Sequence, residues 1–244
     1  MIPFFRKIRK KLADDNKPLK YLRYAIGEIV LVVIGILIAL QINNWNQEKK
    51  EKQKEIAYIK SLIDDINSDV IQSENILEDF KELDANLDEL LRELSNENIF
   101  NDSNRAFELW FYNFGIPDFV SNDKTLELLK NSGGFELITN NEVLDAIWGY
   151  DKAVKVFINQ NETMATAMVT SNSYSRCFNV IKLTNPIENQ FPIPLLSKDE
   201  EALNIMYTNR LLWKYGMLSV LNYLQDVQNK GKETILVLKS NYNL

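Results

Sequence analysis

The stretch IVLVVIGILIAL, residues 29–40, contains twelve consecutive apolar residues and is the clearest structural signal in the chain. Over the longer range 24–42, only Glu28 and Gln41 are polar. A helix rises 1.5 Å per residue, so about 20 residues cross the ~30 Å hydrocarbon layer of a bilayer. A buried helix of a soluble protein rarely lacks a polar stripe, and no A-x-A cleavage pattern of a signal peptide follows. We therefore predict an uncleaved transmembrane helix over residues 24–43.

The charged residues are divided unevenly between the two sides of this helix. Residues 1–23 carry eight basic and two acidic residues, whereas residues 43–244 carry 20 basic and 31 acidic ones. Basic flanks are retained in the cytoplasm, so we predict a cytoplasmic N-terminus. The remaining ~200 residues are then exported, which places the protein in the inner membrane with a periplasmic C-terminal domain.

The residues that border the predicted span resemble lipid anchors. Phe4 and Phe5 stand beside Arg6 and Lys7 in the basic segment 1–23, and Trp45 follows the span at its other end. One interpretation is a short amphipathic helix on an anionic leaflet, with the phenyl rings inserted and the cations near lipid phosphates. The other is a basic flank without fixed structure, because twelve residues are marginal for an isolated helix.

Three segments of the sequence resemble parts of a known protein family. FFRKIRKKL (residues 4–12) and YAIGEIVLVVIGILIALQINNWN (24–46) resemble the start of a bacterial family of single-pass membrane proteins of unknown function, common in flavobacteria. LKNSGGFELITNNEVLDAIWGY (129–150) is similar to the middle region of the same family. The resemblance implies a cell-envelope protein with a helical exported part, and it brings no catalytic residues.

Beyond the span, the sequence predicts a long helical stalk over residues 44–98. Residues 48–96 contain neither glycine nor proline, and apolar residues recur there with heptad spacing. After Phe80 the pattern shifts by one residue and resumes at Leu83. Such a seam needs a partner, which is either a second copy of the chain or later helices folded back against it. We favour the fold-back because later segments supply suitable apolar faces.

Turn signals divide the remaining residues, 99–244, into further helices. Glycines at 133 and 134 predict one helix end, Asn140 begins another helix, and Gly231 is expected to end the last one. Residues 184–196 contain three prolines and predict the longest irregular stretch. The predicted fold class is all-α: a transmembrane helix, a long helix and an exported antiparallel bundle.

The composition excludes several kinds of chemistry. Without histidine the chain cannot form Ser-His-Asp triads or His-based zinc sites, and the single cysteine, Cys177, cannot form an internal disulfide. No phosphate-binding or nucleophile motif is present, and carboxylates such as Asp65 and Asp88 fall on polar helix faces, where solvation is the default. We expect no enzyme, no cofactor and no metal. The acidic exported part argues against nucleic-acid binding.

An aromatic run offers a possible binding surface in the exported part. Trp110, Phe111, Tyr112 and Phe114 cannot all share one face of a helix. Either this helix is buried on two sides, or a ring reaches the surface and contacts a lipid, peptide or protein.

The predicted transmembrane helix has a possible interface of its own. Glu28, Gly35 and Ala39 fall near one side, and the small pair allows close helix approach. Alternatively, Glu28 extends to the headgroups near Arg23. The first functional hypothesis is therefore an anchored helical domain that binds, senses or scaffolds an envelope component. The second is an oligomeric pore-forming or transport-accessory protein. The expected partners are the lipid bilayer and either further copies of the chain or another membrane protein.

Overall fold

The computed structural model describes residues 7, 18–95, 116–170, 178–179, 195–196 and 200–244. These residues form an all-α fold, as the sequence predicts, with one pair of two-residue strands besides the helices. The elements in chain order are α1 (Pro18–Leu94), α2 (Lys124–Ser132), a 3-10 helix (Gly134–Leu137), α3 (Asn141–Thr170), β1 (Phe178–Asn179), β2 (Leu195–Leu196) and α4 (Glu200–Tyr242). The two short strands pair antiparallel, with Phe178 opposite Leu196.

Helix α1 joins the predicted transmembrane helix and the predicted stalk into one element of 77 residues. Pro18 stands at its first position, where a missing N–H and a fixed φ fit the start of a helix. The chain divides into two compact units, Met1–Ile56 and Ala57–Leu244.

The heptad seam of α1 packs inside the chain. In the second unit its apolar members are largely buried, among them Ile59, Ile66 and Leu87, each at most 1% exposed. The one polar member, Ser73, is also buried and donates its hydroxyl to the carbonyl oxygen of Val70 at 2.7 Å. The seam therefore packs against later helices of the same chain, as the fold-back interpretation predicts.

Helix α4 packs antiparallel to α1. Lys232 pairs with Glu74 at 2.7 Å, and Lys214 pairs with Asp84 at 3.0 Å, so the α4 residue number falls as the α1 number rises. Lys214 also contacts Asp88, which is therefore paired although it stays half-exposed. The result is an antiparallel bundle held at its edges by exposed ion pairs.

Helix α3 is likewise antiparallel to α4. Near its start, the Asn140 amide donates to Asn241, and the Thr234 hydroxyl donates to the carbonyl of Ala146 at 3.1 Å. Towards its other end, Met164 lies against Gly216. Three long helices, α1, α3 and α4, thus enclose one apolar core in the second unit.

The turn between α2 and α3 follows the sequence signals. Gly133 has φ +69° and ends α2 in the left-handed conformation that glycine favours. Gly134 lies so close to Leu129 that a Cβ would approach its Cδ2 to 2.7 Å. Asn140 then accepts a hydrogen bond from the backbone N–H of Glu142 at 2.9 Å, which caps α3.

The prediction that Gly231 ends the last helix is wrong. Helix α4 continues through Gly231 to Tyr242. A Cβ at this glycine would lie 2.6 Å from Cγ2 of Val70 and 3.4 Å from the Tyr150 ring. Gly231 therefore serves close packing of α4 on α1 and α3, and this packing outweighs its weak helix propensity.

Candidate functional site

The apolar segment of α1 is exposed on every side. All residues from Ile29 to Lys50 are exposed, including Leu31 at 68% and Trp45 at 65%. Over the described ranges, α1 is the one helix that is long and apolar enough to cross a membrane. This surface has the composition of a lipid-facing helix rather than of a helix that faces water.

The predicted helix interface lies within this segment. Glu28 is half-buried, whereas Gly35 and Ala39 are exposed. A Cβ built at Gly35 would meet nothing within 4 Å. Because α1 is continuous, spacings of seven and four residues place the three on one side, and their role as an interface stays a prediction.

Most of the other candidate residues lie outside the residues that the structure describes. Lys7 is exposed and helical. Phe4, Phe5 and Arg6 lie outside the described residues. So do the members of the predicted aromatic binding surface and the single cysteine: Trp110, Phe111, Tyr112, Phe114 and Cys177.

A polar stripe on α1 accepts hydrogen bonds from the start of α2 and from the residues just before it. Thr125 donates its backbone N–H to Asp65 at 3.0 Å, and Asn122 donates its own to Asp69 at 2.8 Å. The N–H of Val120 donates to Gln72 at 3.2 Å. Of these three donors, only Thr125 lies in the first turn of α2, where N–H groups lack partners within the helix, so Asp65 supplies that acceptor. Asp69 and Gln72 bind the segment that precedes α2.

The three acceptor side chains on α1 share a spacing that is visible in the sequence. Asp65, Asp69 and Gln72 are four and three residues apart, which places them on one face beside the apolar seam. The expectation that Asp65 belongs to a solvated face is wrong, because it binds Thr125 and Asn122. Only the location of α2, fixed by tertiary structure, gives this stripe its role.

Asp69 forms a buried polar contact in the bundle. It is 2% exposed, and its Oδ2 accepts hydrogen bonds from the Ser121 hydroxyl at 2.8 Å and the Tyr150 hydroxyl at 2.6 Å. Burial, followed by the negative charge of Asp69, raises the pKa of Tyr150 well above its ordinary value. The phenol therefore stays protonated and acts as a donor.

An apolar cavity of ≈180 Å³ lies next to this contact, between α1, α2 and α3. Its lining combines buried aliphatic side chains with polar groups at the solvent side. The aliphatic members are Leu62, Ile66, Leu126, Ile147, Val154 and Ile158. Sequence analysis does not find this cavity, because its walls come from three separate helices.

Two lysines and three carboxylates border the cavity; the carboxylates are Asp123, Glu127 and Asp151. Lys130 donates to Glu127 at 2.9 Å and to Asp151 at 3.4 Å, and Lys155 donates to Asp151 at 2.6 Å. Burial of Lys130 opposes its charge, but the hydrogen bond to Glu127 and the charge of Asp151 prevail and raise the pKa of this lysine. The Lys130 ammonium is therefore charged at neutral pH, with an apolar cavity directly behind it.

The described part of the chain contains no group of three acidic or cysteine side chains suited to hold a metal ion. These residues present an exposed apolar helix segment in the first unit and an apolar cavity bordered by charged side chains in the second.

Comparisons with known proteins give one match. Residues 28–108 are similar to a family of unknown function, DUF6090. This range begins at Glu28 and takes in most of α1, and it ends before α2. Neither the curated proteins nor the solved structures contain a match. The similarity is thus to an uncharacterised family and assigns no activity.

Proposed function

We propose that this protein is a single-pass protein of a bacterial inner membrane whose exported helical bundle binds, senses or scaffolds a component of the cell envelope. The bacterial, flavobacterial-type origin rests on the resemblance of the first 46 residues. One observation carries the proposal: α1 exposes apolar side chains on all sides over residues 29–40.

Water makes this exposure costly, whereas a bilayer does not. A Val, Leu or Ile side chain gains roughly 1.5–3 kcal/mol when it leaves water. Nearly every residue of this segment is of that type, so lipid contact would gain tens of kcal/mol on that scale. Residues 24–43 form a helix of about 30 Å, which matches the hydrocarbon thickness.

Charge sets the proposed orientation. Eight basic residues precede the span, so the N-terminus stays in the cytoplasm and the bundle is exported. Lys7 then lies near anionic headgroups, and Trp45 lies at the opposite interface.

The bundle is proposed as a binding module rather than an enzyme. Histidine is absent from the chain, and the buried polar groups of the described bundle, such as Asp69 and Tyr150, are engaged with each other and with the start of α2. Within the described bundle, these contacts hold elements together and leave neither Asp69 nor Tyr150 activated as a nucleophile.

A second candidate is an oligomeric pore or transport accessory built on the span. It is favoured by the open surroundings of Gly35, where a second helix can approach closely along the side shared with Ala39 and Glu28. On this candidate Gly35→Leu weakens self-association in a bilayer, whereas on the first it changes nothing. Mass photometry of the purified protein distinguishes a ring from a monomer.

Topology and insertion test the main proposal. A reporter enzyme that works only outside the cytoplasm should be active when fused after Leu244 and inactive when fused before Met1. Ile34→Arg together with Ile38→Arg places two charges mid-span, which cost about 3 kcal/mol each in insertion. The double variant should lose membrane retention in alkaline extraction.

Ile71→Arg provides the matched control. Ile71 is 51% exposed but lies in the second unit, so its replacement should leave insertion unchanged. Recovery of the double variant in the soluble fraction with a folded bundle supports the proposal. Unchanged membrane extraction of that variant, or reporter activity at the N-terminal fusion, contradicts it.

A further inference from the structure

We propose that the cavity between α1, α2 and α3 binds a medium-chain carboxylate, with its alkyl tail among the aliphatic walls and its carboxylate at Lys155 and Lys130. This inference rests on the proposed function in treating the bundle as the ligand-binding part, and it names the ligand class. It is independent of which way α1 crosses the membrane.

The size of the cavity sets the length of the tail. Its volume is ≈180 Å³, and apolar cavities of about 150 Å³ in proteins accommodate benzene. An alkyl chain of roughly six to eight carbons therefore fits. A complete lipid tail or a bulky peptide side chain with its backbone does not.

The walls favour an apolar occupant over water. Six aliphatic side chains from three helices line the cavity. The polar groups nearest to them, Ser121 and Tyr150, already donate to Asp69. A buried water needs two to four polar partners, whereas an alkyl tail needs none.

The ammonium groups at the mouth offer hydrogen-bond donors to an anionic head group. An ammonium has three N–H donors. Within the described residues, Lys155 donates to Asp151 only, and its side chain is 63% exposed, so two donors face solvent. Asp151, by contrast, accepts from both lysines, one at each oxygen. Asp123 also borders the mouth, so an alkylammonium is the alternative head group that the experiment must exclude.

The full chain in lipid nanodiscs is titrated with octanoate, and the signal of empty nanodiscs is subtracted. Calorimetry should show saturable binding, and octanoate should raise the melting temperature of the bundle. Each buried methylene strengthens binding about fourfold, so butyrate should bind roughly 200-fold more weakly. Equal binding by butyrate, or only the non-saturable uptake seen with empty nanodiscs, overturns the proposal.

The head group is tested by charge and by substitution. Lys155→Gln should weaken octanoate binding roughly tenfold, because a hydrogen bond to a charged group is lost. Lys152→Gln is the control: Lys152 is exposed on the same helix and does not line the cavity. Octylammonium should bind much more weakly than octanoate. Equal affinity for both, or equal effects of the two lysine variants, overturns the head-group assignment.

The tail site is tested by filling it. Val154→Phe places a ring in the cavity and should abolish binding, whereas Val156→Phe, outside the cavity, should not. Ile158→Phe, at a half-buried wall position, gives the same test if Val154→Phe melts early. Membrane retention is measured on each sample. If the protein is inserted in the membrane but does not bind octanoate, the ligand proposal is wrong and the proposed membrane anchor still stands.

Discussion

The two halves of α1 contain the same aliphatic residues but arrange them differently. Residues 29–40 are apolar on every side of the helix and exposed. In residues 57–94 the apolar side chains follow a heptad seam, and that seam is buried by α3 and α4. One stripe suffices where protein covers one side, whereas a helix surrounded by lipid needs apolar residues all round. The pattern around the helix thus indicates which medium surrounds each half.

The largest expected effect comes from charge placed in the buried half. Ile63→Asp with Ile66→Asp buries two carboxylates without partners, since Ile66 is 1% exposed. Each buried carboxylate costs several kcal/mol, and the two together exceed the free energy of unfolding of most domains. We expect the bundle to be unfolded by circular dichroism at 25 °C.

The matched control places the same two charges in the exposed half. Ile34→Asp with Ile38→Asp should leave the bundle's melting unchanged and reduce membrane insertion instead. If both pairs of substitutions affect the same property, the contrast between the two halves of α1 is wrong.

The next effect concerns the buried carboxylate of the second half. Tyr150 donates to Asp69 at 2.6 Å, and a hydrogen bond to a charged group is worth about 1.5–3 kcal/mol. Tyr150→Phe should lower the free energy of unfolding by about that amount in urea titrations at pH 7. Tyr215→Phe, at an exposed hydroxyl, is the control.

Tyr150 also makes stability depend on alkaline pH. Its pKa is raised in the folded state by burial and by Asp69, whereas an unfolded tyrosine titrates near pH 10. The stabilisation is therefore complete below about pH 10. Above that pH the unfolded chain loses a proton that the folded chain keeps, so the free energy of unfolding falls by up to ~1.4 kcal/mol per pH unit. Tyr150→Phe should remove this slope, and an unchanged slope would show that other groups cause it.

The sequence correctly predicts those elements whose signals lie in neighbouring residues. The apolar run, the seam, the left-handed Gly133 and the Asn140 cap all depend on neighbouring residues, and the structure has each of them. Sequence reasoning missed the role of Asp65 and the cavity, because a cap or a wall supplied by another helix depends on where that helix packs. The same reason explains why Gly231 was misjudged.

The smallest expected effect compares glycines in three surroundings. At Gly231 a Cβ would lie 2.6 Å from Val70 and 3.3 Å from Ile66, both in the buried half of α1. Overpacking costs about 1–3 kcal/mol, and the better helix propensity of alanine returns up to ~1 kcal/mol. Gly231→Ala should therefore destabilise the bundle by about 1 kcal/mol. Gly149→Ala, with nothing within 4 Å, should stabilise it by up to ~1 kcal/mol, and Gly35→Ala, in the exposed half, should leave bundle melting unchanged. If Gly231→Ala instead raises the melting temperature as Gly149→Ala does, α4 does not pack closely on α1 at this position.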